Sequence, residues 1–369
     1  MALDEYFSDT YAEARAKFQD AAAEAGLAVA SHDHPMTGPG GEALALDVVT
    51  LCPDASSPCR AERVFVVMSG THGVEGFAGS AAQIAWLKRG GHERVPDGIS
   101  VIVMHAVNPY GFAWIRRVTE DNIDLNRNFA DFGRSLPSKP GYDELAEAIC
   151  PRAWNDNAVA EAEVRLTAYA DRHGRRALNR AIMGGQFTHP EGVFYGGTKP
   201  TWSRQTIFKI LEIYCSAAKH VAVLDIHTGL GEFGTGVCYC VGDEGTPAVT
   251  RAHDLWGDDV TVMAAAPGSS VHDGYNLTGL SRALAPAAVY GNTLEFGTYP
   301  VGDMLKAVRA DNWLHLHGDP ASAQGRAIKQ ELKRVFYPAE SEEWKSRVLS
   351  RSLDVWQRGL EGLAATGAG

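Results

Sequence analysis

Val64-Phe-Val-Val-Met-Ser-Gly-Thr-His72-Gly-Val-Glu75-Gly-Phe-Ala-Gly79 opens on five apolar residues in a row and then enters a loop of small ones. A strand with water on one face alternates apolar and polar side chains. An unbroken apolar run closed by glycine is instead the pattern of a strand covered by helices on both faces. Ala81 to Arg89, just behind it, has helical spacing, so the segment reads as strand, loop, helix. Working outward, an amphipathic stretch at Tyr11 to Ala25 and a strand at Ala43 to Thr50 precede it, and a strand at Ile99 to His105 follows, closed by the turn Asn108-Pro109-Tyr110-Gly111. Strand patterns return at Val221 to Ile226, Val237 to Val241, Val260 to Ala264 and Tyr290 to Phe296, and three helices follow from Asp303. The expected fold is α/β, a mixed twisted sheet sandwiched between helices. Between about 132 and 219 the pattern changes to helices at Glu144 to Ile149, Ala158 to Asp171 and Gln205 to Ala218, around a glycine-rich loop from Gly184 to Gly197. This reads as a helical and loop insertion beside the sheet of a single domain spanning 1–369.

Of the 369 residues 45% are hydrophobic and 21% charged, as in an ordinary globular chain. Thirty-four basic residues against 45 acidic ones give a net charge of −11, which argues against a sequence-independent grip on nucleic acid or an anionic membrane. The acidic start, Met1-Ala-Leu-Asp-Glu-Tyr-Phe, lacks the basic and apolar parts of a signal peptide. No apolar run approaches the roughly 20 residues of a membrane helix. A cytoplasmic protein without membrane partners is the expectation. Six cysteines (Cys52, Cys59, Cys150, Cys215, Cys238, Cys240) show neither zinc-ribbon nor disulfide-framework spacing. Cys238 and Cys240 flank Tyr239 within a strand pattern and read as strand residues.

The strand at Val64 leads to His72 and Glu75. A second, Val221-Ala-Val-Leu-Asp-Ile-His227-Thr-Gly, leads to another histidine. Carboxyl ends of strands are where open α/β sheets build their sites, because loops converge there. Two imidazoles and one carboxylate make a catalytic zinc shell with one position left for water. Asp225 lies on the same strand face as His227 and can orient its ring.

Asn108-Pro-Tyr-Gly-Phe-Ala-Trp-Ile-Arg116-Arg117-Val-Thr-Glu-Asp-Asn-Ile-Asp124-Leu-Asn126-Arg127-Asn128-Phe129 closely resembles the zinc carboxypeptidase family, through its Asn-Pro-x-Gly turn, an arginine nine residues before the Asn-Arg pair, and the specific Asp-Leu-Asn-Arg-Asn-Phe. Thr293-Leu-Glu295-Phe-Gly-Thr is similar to the family's late strand bearing a catalytic glutamate, which completes the order His-x-x-Glu, Arg, Asn-Arg, His, Glu. The match covers roughly 64–129 and 221–298. The loop from Gly184 to Gly197 most resembles an uncharacterised bacterial branch of that family.

The resemblance implies one Zn2+ per chain, held by His72, Glu75 and His227, with Glu295 as general base and then acid. It implies that Arg117, with Arg116 as the alternative, steadies the oxyanion, and that Asn126 and Arg127 clamp a substrate carboxylate with a planar fork suited to both oxygens. Asp124 is expected to orient His72, and Tyr275 to contact substrate. Specificity is expected near Leu280 or Arg282.

The substrate so implied is a small peptide cleaved beside its free carboxylate. An N-acyl amino acid is the alternative, since relatives of the aspartoacylase and succinylglutamate desuccinylase type share the ligand order. A third reading, non-catalytic metal or ligand binding, is opposed by the presence of Glu295 and Arg117. Gly229-Leu-Gly231-Glu-Phe-Gly234 fits a dinucleotide fingerprint, but a strand follows where that fingerprint needs a helix N-terminus, so these glycines read as a loop beside the metal.

Overall fold

The structure, a computed structural model, describes residues 3–53, 60–263 and 274–366. Helix α1 (Tyr11–Glu24) leads to β1 (Val29–Thr37), β2 (Ala43–Leu51), β3 (Arg63–Ser69), α2 (Gly76–Lys88), β4 (Ile99–His105) and the short α3 (Pro109–Ala113). The helical region holds α4 (Pro140–Ile149), α5 (Asp156–His173), α6 (Arg175–Met183) and α7 (Trp202–Tyr214). Then come β5 (His220–Phe233), β6 (Gly236–Val241), α8 (Pro247–Trp256), β7 (Val260–Met263), α9 (Asn276–Ala283) and β8 (Ala288–Gly297), followed by α10 (Val301–His317), α11 (Ala323–Phe336) and α12 (Glu342–Ala365).

The strands form one eight-stranded mixed sheet in the order β1-β2-β4-β3-β5-β8-β6-β7. Its middle, β4, β3, β5 and β8, is parallel, while β2 against β4 and β6 against β8 are antiparallel. The unbroken apolar run of β3 has its reason here. Phe65 and Val67 face a layer containing α1, α2, α8 and α12, while Val64, Val66 and Met68 face α7 and α9. With both faces covered, neither set can be polar. Trp86 of α2 stacks on Trp356 of α12, ring centroids 4.3 Å apart, which pins the last helix across the sheet.

Several elements depart from the sequence reading. Strand β1 was not expected, because Val29–Thr37 is mostly exposed and carries histidines and a proline in place of apolar alternation. It is an edge strand that needs only one partner. Helices α6, α8 and α9 were also missed. Helix α2 starts five residues before the expected Ala81, directly after Glu75, and Asn108-Pro109 caps the short helix α3 instead of making a free turn. Gly229 to Gly234, expected as a loop, belongs largely to β5, which runs on to Phe233 with an irregularity between Gly229 and Phe233 opposite Gly297. Residues 132–219 divide: α4, α5 and α6 pack in a cluster with α10 and α11, whereas α7 lies on the sheet itself. Cys238 and Cys240 lie in β6 with buried side chains. Cys59 and Ala264 fall outside the described residues. No described helix is long and apolar enough to cross a membrane.

One buried titratable group outside the site gives a pH prediction. His105, at the end of β4, is fully buried, stacks on Phe18 (centroids 4.5 Å apart) and meets the Ser80 hydroxyl through Nε2 at 2.9 Å. Burial pushes its pKa down to about 4. The folded protein therefore resists a proton that the unfolded chain accepts below about pH 6.5. Stability should fall as pH drops from about 6.5 to about 4, by up to about 3 kcal/mol from this group. Urea midpoints measured across that range should show the extra fall in the natural protein and not in His105→Leu; equal pH slopes would exclude His105 as the cause.

Candidate active site

The three central parallel strands bring the chain's candidate ligands together. After β3 the backbone is locked to the loop following β4, since Val107 donates to the Ser69 carbonyl and Asn108 to that of Gly70. Gly73 packs so closely on α3 that an added Cβ would lie 2.0 Å from the Gly111 carbonyl carbon. That contact fixes the short turn Gly73–Glu75, at whose N-terminus His72 sits. Sequence spacing thus becomes geometry: Glu75 Oε1 lies 2.9 Å from His72 Nδ1, Glu75 Oε2 lies 2.9 Å from His227 Nδ1, and the two Nδ1 atoms are 3.2 Å apart. These three side chains are the described His, Cys, Asp or Glu residues whose ligand atoms cluster as for a metal ion. Donors about 2.0–2.2 Å from a tetrahedral zinc would be roughly 3.3–3.6 Å apart; here the contacts are shorter, with Glu75 meeting the two rings through different oxygens, while the donor types, two imidazoles and a carboxylate, are those of a zinc site.

Each imidazole is held from behind. Asp225 accepts from His227 Nε2 at 2.7 Å and is itself fixed by the Thr71 hydroxyl and the Asn276 amide. Asp124 faces His72 Nε2 at 3.2 Å and also accepts from the Asn126 backbone N–H at 3.0 Å. Both rings therefore present Nδ1 to the centre. Burial works against the charge on Asp124, but Arg117 and His72 outweigh it and hold its pKa well below the usual range. Burial likewise opposes a charged His227, and Asp225 beside it nonetheless raises its pKa well above the ordinary value. For Glu75 burial is again overcome, by His72 and by hydrogen bonds with both rings, so the carboxylate stays ionised.

Glu295 lies on β8 directly opposite His227 on β5. Neighbouring positions on adjacent strands project to the same side, which puts the carboxylate at the centre. Its Oε1 accepts from the Leu230 backbone N–H at 3.0 Å. Burial, with the charge of Glu75, pushes its pKa up to about 7.

Arg117 reaches Glu75 Oε1 (3.0 Å), Asp124 Oδ2 (3.1 Å) and His72 Nε2 (2.8 Å), under the ring of Phe194, whose centroid is 5.3 Å from the guanidinium carbon. Asn126 accepts the Asn276 backbone N–H on its side-chain oxygen. Arg127 donates to the carbonyls of Asn126 and Met183, at 2.8 and 2.9 Å, and forms no ion pair among the described residues. Burial lowers its pKa. Glycines shape the loop over it: a Cβ on Gly185 would lie 2.5 Å from Arg127 Cδ. Tyr275 is buried with its hydroxyl on that of Thr293. His72, Glu75, His227, Glu295, Arg117, Asn126, Arg127 and Tyr275 all border one cavity of about 450 Å³.

Three sequence expectations need correction. Arg116 points away from the cavity into a buried ion pair with Asp311, 3.2 Å from its Nε, so it does not substitute for Arg117. Leu280 is wholly buried in α9, and Arg282 turns to the Phe129 carbonyl; neither borders the cavity. On that side the lining comes from Tyr239, Val241, Met263 and Thr293. Sequence reasoning missed Thr71 and Asn276, which hold Asp225. Their signal was adjacency to His72 and Tyr275.

The chain is thus an α/β fold, a mixed sheet between helices with a His-Glu-His group at the carboxyl edge of its middle strands. It is similar to carboxypeptidase A from Helicoverpa armigera (TM-score 0.46, 14% identity, 97% of this chain and 74% of that one). It is also similar to metallo-carboxypeptidase from Pseudomonas aeruginosa in complex with (2-guanidinoethylmercapto)succinic acid (0.41, 15%, 94% and 71%) and to succinylglutamate desuccinylase from Chromobacterium violaceum (0.36, 15%, 88% and 74%). By sequence the chain belongs to the family described as "Protein of unknown function (DUF2817)", matched over residues 7–351. No curated protein matches it.

Proposed function

We propose that the chain is a zinc-dependent hydrolase of an amide bond next to a free carboxylate, with one zinc held by His72, Glu75 and His227. The observation that carries this reading is the meeting, in one cavity, of that three-donor centre, the Glu295 carboxylate, and a partly buried guanidinium, Arg127, that forms no ion pair among the described residues. Zinc bound to two imidazoles and a carboxylate supplies a Lewis acid and lowers the pKa of a water from about 16 to about 7. Glu295 takes the proton of the attacking water and passes it to the departing nitrogen. Its raised pKa suits both directions of transfer, since a base and acid works best near the ambient pH.

With Nδ1 given to the metal, His72 carries its proton on Nε2 and donates it to Asp124. The same atom cannot also accept from Arg117, because a ring nitrogen has either a hydrogen or a lone pair in its plane. Arg117 Nη2 is then free for the carbonyl oxygen of the substrate as that oxygen becomes negative. Arg127 and the Asn126 side-chain amide hold the carboxylate and set the distance to the scissile bond.

Metal analysis and turnover test the reading together. The purified protein should hold one zinc per chain, and its hydrolysis of a panel of carboxypeptidase substrates and N-acyl amino acids should vanish on chelation and return with added zinc. Full activity in metal-free protein would sink the proposal.

A further inference from the structure

We infer that the amide cleaved is that of an N-acyl amino acid whose acyl group is uncharged and aliphatic, a conclusion that rests on the hydrolase reading and narrows it. Among the described residues bordering the cavity the carboxylates are Glu75 and Glu295 alone, against the guanidinium groups of Arg117, Arg127 and Arg180. Glu75 is shared by two imidazoles and Arg117, and Glu295 is needed for the water. The α-ammonium of a dipeptide sits one carbon from the scissile carbonyl. It would enter a cavity lined by three guanidinium groups and, among the described lining residues, find no anion of its own; burying an unpaired charge is costly. An acylated nitrogen carries no such charge.

The cavity also has an extensive apolar wall. It is built from Phe194 of the glycine-rich loop, Leu230 of β5, Met304, Leu305 and Val308 of α10, and Phe336 at the end of α11. The wall begins at the base itself. A Cβ placed on Gly229 would lie 3.2 Å from Met304 Sδ, 3.2 Å from Phe336 Cε1 and 3.5 Å from Glu295 Oε1. It also reaches the oxyanion side, where the Phe194 ring covers Arg117. Phe194 holds that position in a left-handed conformation, φ 57°, that side chains seldom adopt. Such strain persists where the surroundings enforce it and concentrates at ligand sites. A carbonyl between Arg117 and Glu295 therefore has its acyl chain directed along apolar surface. A carboxylate on that chain, as in a succinyl group, would lie against the same surface. Leu230 apart, these residues come from outside the stretches that match the carboxypeptidase pattern, so most of the wall belongs to this chain's own elaboration.

Binding decides the matter independently of turnover. Zinc-loaded Glu295→Gln protein would be titrated calorimetrically with N-acetyl-, N-butanoyl-, N-hexanoyl- and N-succinyl-alanine and with leucyl-alanine. Affinity should rise by about fourfold for each added methylene, as expected for burying aliphatic surface. N-succinyl-alanine and leucyl-alanine should bind more weakly than N-butanoyl-alanine. In Leu305→Glu, at a half-buried position, and in Met304→Lys, the rise with chain length should flatten or reverse. Equal affinity for the acetyl and hexanoyl compounds, tightest binding of the succinyl compound or the dipeptide, or no binding by any of them would overturn the inference. If the chain-length trend holds while the zinc-loaded natural protein hydrolyses none of the acyl compounds, the ligand class stands and the hydrolase reading falls.

Discussion

Glu295→Gln should lower kcat for the best N-acyl amino acid by about 10²- to 10⁴-fold, the range a positioned general base supplies, with KM changed by less than about threefold. Glutamine has the same shape and keeps an oxygen for the Leu230 backbone N–H. It cannot take a proton from water, so the loss falls on the chemical step alone. Metal content should not decline. Glu75 and Glu295 are close enough for one charge to raise the pKa of the other, and glutamine removes that repulsion. The pair of measurements separates roles. A residue that merely supports the metal site would lose zinc and activity together, whereas a base loses activity with zinc retained. Rates equal to those of the natural protein would falsify the assignment of Glu295.

The central layers and the ligand centre were legible because the sequence states them locally. The run Val64 to Met68 declares a strand covered on both faces, and its two sets of side chains do face two helical layers. His72 and Glu75 are joined by a single short turn, so their spacing is close to their geometry. Glu295 and His227 are far apart in sequence, and their pairing depends on a parallel register that no local pattern encodes. The resemblance to a known motif order supplied that step.

Elements and residues whose character comes only from tertiary partners were not legible. Strand β1 has one neighbour and an exposed face, so it carries no alternation to read. The glycines at 229 and 231 look like loop residues, yet they stay in β5, where Gly229 passes close under Met304 and Phe336 and both hold positive φ (141° and 115°) that side chains seldom adopt. Arg116 and Arg117 are indistinguishable as neighbours in sequence. What separates them is Asp311 of α10, nearly two hundred residues away, which takes Arg116 out of the cavity. The apolar wall has the same origin, since Met304 and Phe336 stand on two separate helices and meet only in the folded chain.

Arg127→Met should cost about 10²- to 10³-fold in kcat/KM toward a substrate with a free carboxylate, because truncating one partner of a buried charge pair removes about 2–5 kcal/mol. Arg127 is partly buried, and that burial lowers its pKa. It donates to two backbone carbonyls, those of Asn126 and Met183, and its Nε has no partner among the described residues. A guanidinium in such a place is under-compensated until an anion arrives, and its planar fork is shaped for a carboxylate. A structural role predicts a different pattern, in which the variant loses activity equally toward any substrate. The comparison is therefore between an N-acyl amino acid and its C-terminal methylamide. The natural protein should favour the acid by about 10²-fold or more, and Arg127→Met should treat the two alike. If discrimination survives the substitution, the carboxylate is bound elsewhere, and Arg180 at the cavity rim becomes the residue to replace next.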